Sequence, residues 1–323
     1  MPCIHLYRHA ITKKIKTFQP LGVRVSYVNL ERLRALHAVA THGSISTAAQ
    51  ALCITSSAAS QQLSKLEREM GDRLLERDGR GVRLTDAGRL LARHAEEILA
   101  SVERARAEVE RHRGTVHGAL TIAAFATAVR GLIPDAVAQL SARYPALNVR
   151  VVEYDPDRAL PELLRGAVDL VVNQYWPSKP FVLPDGLSGR TVLVDTVDLA
   201  VPSDHRLAGR GSVTVDDLHD ERWISWPQGS SCHHWLLGVL RSHGIDPLIA
   251  HEAAEHPTQL ALVAAGLGVG VVPRLGRGEV PASVRFLPFR PAVERHVQAV
   301  WRTGGDQRPA VHAALTALSA APG

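Results

Sequence analysis

The sequence predicts an α+β chain of several domains, on three observations. Three short helical patterns, beginning at Leu30, run into a hairpin bearing Gly and Arg. A stretch without Gly or Pro then covers 89–113. Past 114–118, strand and helix patterns alternate to the end of the chain. The 323 residues suffice for two or three domains. A hydrophobic fraction of 46% supports real cores, and with 5% aromatics those cores are mostly Ala, Leu and Val.

Leu30, Leu33, Leu36, Val39 and Ala40 give the first helix an apolar face, closed by Gly43 as a left-handed cap. Ser46 can cap the second helix, and Ser56 or Thr55 the third. On the third helix Ala59, Leu63, Leu66 and Met70 stack into one narrow apolar stripe, with Ser57, Ser60, Gln61, Ser64 and Arg68 opposite. Ser, Gln and Arg without the usual Glu/Lys mixture suit hydrogen bonds to bases and phosphates, although a merely solvated face has the same composition. The hairpin 77–85 reads as a wing beside this helix-turn-helix, with Arg80 and Arg83 placed for phosphates. The DNA-contact candidates are Ser46, Ser56, Ser57, Ser60, Gln61, Ser64, Lys65, Arg80 and Arg83.

Thr85 can cap the long helix that follows, about 37 Å if 89–113 is fully helical. Leu91, Ala95, Ile98, Val102, Ala105 and Val109 repeat at the a/d spacing of a coiled-coil seam; packing within one chain is the alternative. A seam between two chains would present two reading helices to the half-sites of a pseudo-palindrome. Strands are expected at 119–124, 149–153, 168–173, 198–201, 223–225, 248–252, 269–272 and 295–301. Helices are expected at 128–143, 158–165, 232–243, 258–265 and 309–319. That alternation argues for parallel βαβ units.

Gly43-Ser44, Ala48-Ala49, Leu52, Thr55, Ser60, Gln62, Leu66-Glu67, Gly71, Leu74, Arg77 and Leu84-Thr85-x-Ala87-Gly88 form one dense pattern from Asn29 onward. It resembles the LysR-type transcriptional regulators and is far more specific than a generic helix-turn-helix. Ser56-Ser57 stands where such regulators often have Gln-Pro, and Gln61 where they often have Arg, so no base preference is carried over. The resemblance implies a winged helix-turn-helix at 29–85, a linker and dimerisation helix at 86–115, and an effector-binding domain at 116–323. That domain would resemble a periplasmic binding protein, with lobe one at 119–195 plus 294–320 and lobe two at 196–293. Implied partners are promoter DNA, a small-molecule effector, RNA polymerase and further copies of the chain, as a dimer or tetramer. Gly266-x-Gly268-x-Gly270 lies between a helix and a strand, the reverse of the order a dinucleotide loop requires.

In open α/β folds ligands sit beyond the carboxyl ends of strands, at helix starts. The effector candidates on this basis are Phe125, Thr127, Asn173, Trp226, Ser230, Ser231 and Thr258. Their hydroxyls and helix-start amides would suit an anion, with Phe125 and Trp226 against an apolar body; ordinary helix capping also accounts for the Ser and Thr. Cys232-His233-His234 lacks the i, i+3 or i+4 spacing of metal ligands on one helix, so no metal or other cofactor is expected. No Gly-x-Ser-x-Gly, His-Glu-x-x-His or phosphate loop points to an enzyme. The competing reading is a small-molecule receptor or enzyme on the same lobes, with a non-DNA interaction module at its N-terminus.

The formal net charge of +5 is no argument for nucleic acid, because Arg8, Lys13, Lys14, Lys16 and Arg24 account for all of it. Residues 1–28 read as a basic extension, disordered or ahead of a natural start near Val28, with a DNA-touching arm as the alternative. No apolar run reaches signal-peptide or membrane-span length. Cys3, Cys53 and Cys232 are few and far apart, which suits the reducing cytoplasm.

Overall fold

The computed structural model describes residues 29–320, apart from 53, 80, 179–181 and the side chains of 156 and 157. Expectations for the segment 1–28 and for Arg80 therefore lie outside the described residues. The N-terminal unit comprises α1 Leu30–His42, α2 Ile45–Ala51, α3 Ser56–Met70 and a hairpin of β1 Leu75–Asp78 and β2 Gly81–Leu84. Asn29, Ser44 and Thr55 cap the helices, each side-chain oxygen accepting a backbone N–H of the first turn. Ser44 thus takes the capping role expected of Ser46, which lies exposed inside α2. Leu33, Leu36, Val39, Leu52, Leu63, Leu66 and Leu74 interlock as the core. Ala40 and Met70 stay exposed. In α1 the buried face turns through Ala35 and Ala38 instead, and Met70 is the last residue of α3, where the chain leaves at Gly71.

Thr85 caps α4, Asp86–His112, a helix of 27 residues. A Cβ at Gly88 would lie 2.1 Å from the Leu74 carbonyl oxygen, so a side chain there would drive α4 off the hairpin. Ala92 and Ala95 are buried in the N-terminal core, while Glu103 and Ala107 are buried further along. The expected seam is divided by this packing. Ala95 is consumed within the chain, Leu91 packs against the same core and Val102 is half-buried. Ile98 and Val109 remain 40% and 58% exposed, and Ala105 is exposed beside them.

The C-terminal unit runs β3 Gly118–Ala124, α5 Ala126–Gly131, α6 Ile133–Arg143, β4 Leu147–Glu153, α7 Pro156–Arg165, β5 Leu170–Tyr175 and β6 Leu187–Pro202. It continues with β7 Arg222–Ser225, α8 Ser231–Ser242, β8 Leu248–Glu252, α9 His256–Ala264, β9 Gly270–Pro273, β10 Val284–Arg302 and α10 Pro309–Ala320. The single helix expected at 128–143 is broken at Leu132. Pro134 explains the break: it lacks the N–H that would continue α5, and its ring crowds the preceding turn. α9 begins at His256 because Pro257 fits the first turn of a helix, so it starts ahead of the expected 258.

Six strands form one sheet in the order β4-β3-β5-β10-β6-β9. The strands expected at 198–201 and 295–301 are only portions of β6 and β10, which pair antiparallel from Leu187↔Arg302 to Pro202↔Val284 with a register break between Pro288 and Val293. These two strands cross from one lobe to the other. In the first lobe Leu120, Ile122 and Ala124 of β3 pack with residues of α5, α6 and α10, while Ala123 packs with Leu163 of α7 on the other face. The second lobe is built likewise: β7 and β8 pair in parallel, and a bridge from Trp223 to Val269 ties them to the β9 side. Leu236 and Leu240 of α8 and Leu260 and Val263 of α9 supply its helix layers.

Candidate functional site

Two constellations come from this scaffold. The first is the outer face of α3. Ala59, Leu63 and Leu66 are buried, whereas Ser56, Ser57, Gln61, Ser64, Lys65 and Arg68 are exposed and Ser60 is half-buried. Arg68 Nε donates to the Ser64 carbonyl at 3.2 Å, folding that guanidinium back on its own helix. The hairpin is fixed to α3 by Glu67, whose Oε1 accepts the backbone N–H groups of Leu74 and Leu75 at 3.0 and 3.1 Å. Arg83 is exposed and sits directly opposite Glu76 in the ladder, with Nε 2.9 Å from its carboxylate. Both groups are solvated, so this surface pair is weak enough to exchange for a phosphate. Glu67 was legible only as part of the family pattern; its role as hairpin anchor required the fold.

The second constellation is a cavity of about 530 Å³ between the lobes. Phe125 and Thr127 line it from the α5 start, Gln174 and Trp176 from the end of β5, and Trp226, Ser230, Ser231 and Cys232 from the α8 start. His256, at the start of α9, and Arg295, on β10, complete the polar part of the lining. Of the seven expected residues, five meet here. Asn173 does not line the cavity: adjacent strand residues point to opposite faces, so Gln174 looks into the cleft and Asn173 is buried behind it. Thr258 lies exposed, outside the lining, because α9 starts two residues earlier and presents His256 instead.

Arg295, missed by the sequence reading, organises the floor. It is 2% exposed and stands directly opposite Asp195 in the β6–β10 ladder. Its Nε donates to Asp195 Oδ2 at 2.7 Å, Nη1 to Gln174 Oε1 at 2.5 Å and Nη2 to Thr127 Oγ1 at 2.7 Å. Burial pushes the Arg295 pKa down and Asp195 opposes that shift. Thr127 is therefore an acceptor for a buried cation, and Ser230 is a helix cap whose Oγ accepts the His233 N–H at 3.2 Å. His256 stands edge-on to Trp226 with ring centroids 5.7 Å apart. Burial, reinforced by Arg295, Arg130 and Arg277, lowers its pKa to about 3, so the imidazole is neutral.

Among the described residues, contacts between the lobes include two at the cavity and one beside it. Trp176 stacks on Trp235 at 3.6 Å, Gln174 Nε2 donates to Cys232 Sγ at 3.3 Å, and Arg130 Nε donates to the Gly276 carbonyl at 3.1 Å. His233 turns inward, Nδ1 lying 2.9 Å from Ser225 Oγ and 3.1 Å from the Trp226 carbonyl, while His234 faces outward. Among the described residues no cluster of three or more His, Cys, Asp or Glu is arranged to hold a metal, and no helix is long and apolar enough to cross a membrane. Aromatic walls with a few convergent polar groups are the usual make-up of a small-molecule site.

Residues 30–89 match the bacterial regulatory helix-turn-helix protein, lysR family, and residues 113–322 match the LysR substrate binding domain. The chain belongs to the LysR family of DNA-binding transcriptional regulators. It is 31% identical over 269 residues to the HTH-type transcriptional regulator TtuA of Agrobacterium vitis, spanning 81% of this chain and 86% of that one. It is 29% identical over 279 residues to the uncharacterized HTH-type transcriptional regulator YnfL of Escherichia coli (strain K12), spanning 85% and 91%. Among solved structures, a Corynebacterium glutamicum OxyR mutant with H2O2 bound superposes with a TM-score of 0.57 at 25% identity, over 91% of this chain and 92% of that one. Full-length CbnR complexed with its target DNA shares the fold, with a TM-score of 0.52 at 22% identity over 91% and 100% of the two chains. The LysR family regulates transcription through a helix-turn-helix joined to a substrate-binding domain, and this chain has both parts.

Proposed function

We propose that the protein binds promoter DNA sequence-specifically through α3 and the β1–β2 wing, and that a small molecule in the inter-lobe cavity adjusts that binding. The observation that carries the reading is the face of α3. Ser57, Gln61, Ser64 and Lys65 are exposed together, without an acid among them, on a helix anchored by Leu63 and Leu66. Gln61 and Ser57 read base edges, while Ser46, Ser56, Ser60, Ser64, Lys65 and Arg83 serve positioning and phosphate contacts. The bound form of CbnR supports an arrangement in which this fold meets DNA.

Dimerisation runs along α4 through exposed Ile98, Ala105 and Val109 with half-buried Val102, and pairs of dimers make the tetramer. Phe125, Thr127, Trp226, Ser230 and Ser231, with Gln174, His256 and Arg295, form the effector site. The regulator works in the cytoplasm, where promoter DNA and RNA polymerase are its partners, and it carries out no catalysis. An effector that binds one arrangement of the assembly better than another shifts the population of DNA-bound states. Footprinting the purified protein on its own upstream region, with and without a panel of metabolites, tests this. Protection of a defined site, altered by one metabolite, is expected; equal binding to operator and random DNA would sink the reading.

A further inference from the structure

β10 reaches from the cavity floor to the linker helix. Arg295 lies on its cleft portion, and seven residues later the strand ends at Arg302, a span of about 23 Å for an extended chain. Between those residues β10 pairs with β5 over His296–Val300 and with β6 from Arg295 to Arg302, with one irregularity between Val297 and Gln298, so this stretch is held inside the sheet.

The far end is built as a clasp. Arg302, 7% exposed, donates through Nη1 to the carbonyls of Leu163 and Val168 at 2.9 and 2.7 Å. Its Nε lies 3.0 Å from Oε1 of Glu103 on α4, and Nη2 is 3.6 Å from Asp169. Glu103 is itself 3% exposed; its contact with Arg302 is an ion pair, and its Oε1 accepts a hydrogen bond from Arg106 on its own helix at 3.2 Å. Arg308, in the turn after β10, donates to Glu110 Oε1 at 2.8 Å and to Asp169 Oδ1 at 2.5 Å. Burial alone would lower the Arg308 pKa, but Asp169 and Glu110 outweigh it and raise it, so the cation is firmly held. Glu103 and Glu110 are two turns apart and share one face of α4. The same helix is packed at Ala92 and Ala95 into the DNA-reading unit.

Taking the regulator reading as given, we propose that β10 transmits the effector signal, with Arg302 and Arg308 as the positioning residues that hand it to the linker helix. Neither arginine lines the cavity. A ligand that draws Thr127 or Gln174 toward itself must move Arg295, because both hold its guanidinium. Displacement of β10 at that point carries Arg302 with it, and α4 follows through Glu103. The DNA-reading unit, packed on α4 through Ala92 and Ala95, is thereby reoriented with its internal core intact, while its contact from Thr41 to Asp185 shifts.

A double-mutant cycle on the full-length protein tests this without an identified effector. Thr127→Val removes an acceptor of Arg295 at the cleft end, and Glu103→Gln removes the charge from the clasp. The readouts are hydrogen exchange of the α4 amides at 103–112 and affinity for the protein's upstream DNA. Thr127→Val should change both by about fivefold, the low end of ordinary allosteric coupling. In the Glu103→Gln background that change should vanish, and Glu103→Asp, which keeps the charge, should restore it. The same fold-change in both backgrounds would overturn the proposal. If Glu103→Gln fails to fold, Glu110→Gln takes its place in the cycle. Failure of the wild type to select its upstream DNA would refute the regulator reading alone, since the exchange readout still decides whether the two ends are coupled.

Discussion

Replacing Asp195 with Asn should be among the most damaging isosteric changes in the C-terminal unit. Asp195 and Arg295 are 5% and 2% exposed, and their 2.7 Å bond is the charge partnership that lets the guanidinium remain buried. Asparagine keeps an oxygen for the Leu275 N–H, which Asp195 Oδ1 accepts at 3.0 Å. It sets an amide donor, however, against the Arg295 Nε donor. Removing one partner of a buried pair costs about 3–5 kcal/mol, most of it the uncompensated charge left behind. With a urea dependence of roughly 1–3 kcal/mol per molar, the midpoint should fall by on the order of 1–5 M. Intrinsic fluorescence is the natural assay, because all five tryptophans lie in this unit. Arg210→Gln is the control: it breaks the Arg210–Asp217 pair on the surface and should cost less than about 1 kcal/mol. Equal midpoint shifts for the two variants would refute the claim that burial makes the Asp195–Arg295 pair expensive to break.

Other consequences are open to measurement. His256 is neutral when folded, with a pKa of about 3 against 6.5 for the free side chain. The unfolded chain therefore binds the extra proton between those values, and stability present above pH 6.5 is lost as the pH falls. Between pH 7 and 5 the loss should be about 2 kcal/mol, at 1.36 kcal/mol per pH unit; a His256→Gln protein with the same pH slope would contradict this. Gln61→Ala should weaken operator binding by about 1–3 kcal/mol and leave random DNA unaffected, and equal losses on both in a competition gel shift would remove Gln61 from base reading. For the proposed α4 interface, Ile98→Asp places a charge on the exposed stripe and should lower the sedimenting mass; an unchanged mass would move any interface elsewhere.

The helices and their apolar faces were legible because burial repeats with the helical period, as Leu33, Leu36, Leu63 and Leu66 illustrate. The long crossing strands were not. Asp195, Asp198, Glu294 and Arg295 interrupt their apolar runs, and a charged residue in sequence reads as a strand end. Only the pairing of residues a hundred positions apart turns Asp195 and Arg295 into a buried couple. Strand parity hid Gln174 behind Asn173, since a one-residue offset exchanges the two faces and nothing local reveals which one meets the cleft. The aromatic and hydroxyl residues at strand ends were easier, because their place follows from the general position of ligands in α/β folds; Phe125, Thr127 and Trp226 do line the cavity. The clasp of Arg302 and Arg308 on α4 carries no local signal at all.

The order of the strands also bears on how the chain is made. β10 lies inside the sheet between β5 and β6, yet every other described strand leaves the ribosome before it, and α10, which completes the layer over α6, follows it. The three helices and hairpin at the N-terminus contain their own core and have every residue they need roughly two hundred residues earlier. The DNA-reading unit is thus complete while its sensor is still an open sheet with an unfilled central position. A chain truncated before Val284 would lose Arg295, Arg302 and Arg308 together. It would keep a folded reading head with no floor to its cavity and no clasp on its linker, a regulator that can find DNA but has nothing to report.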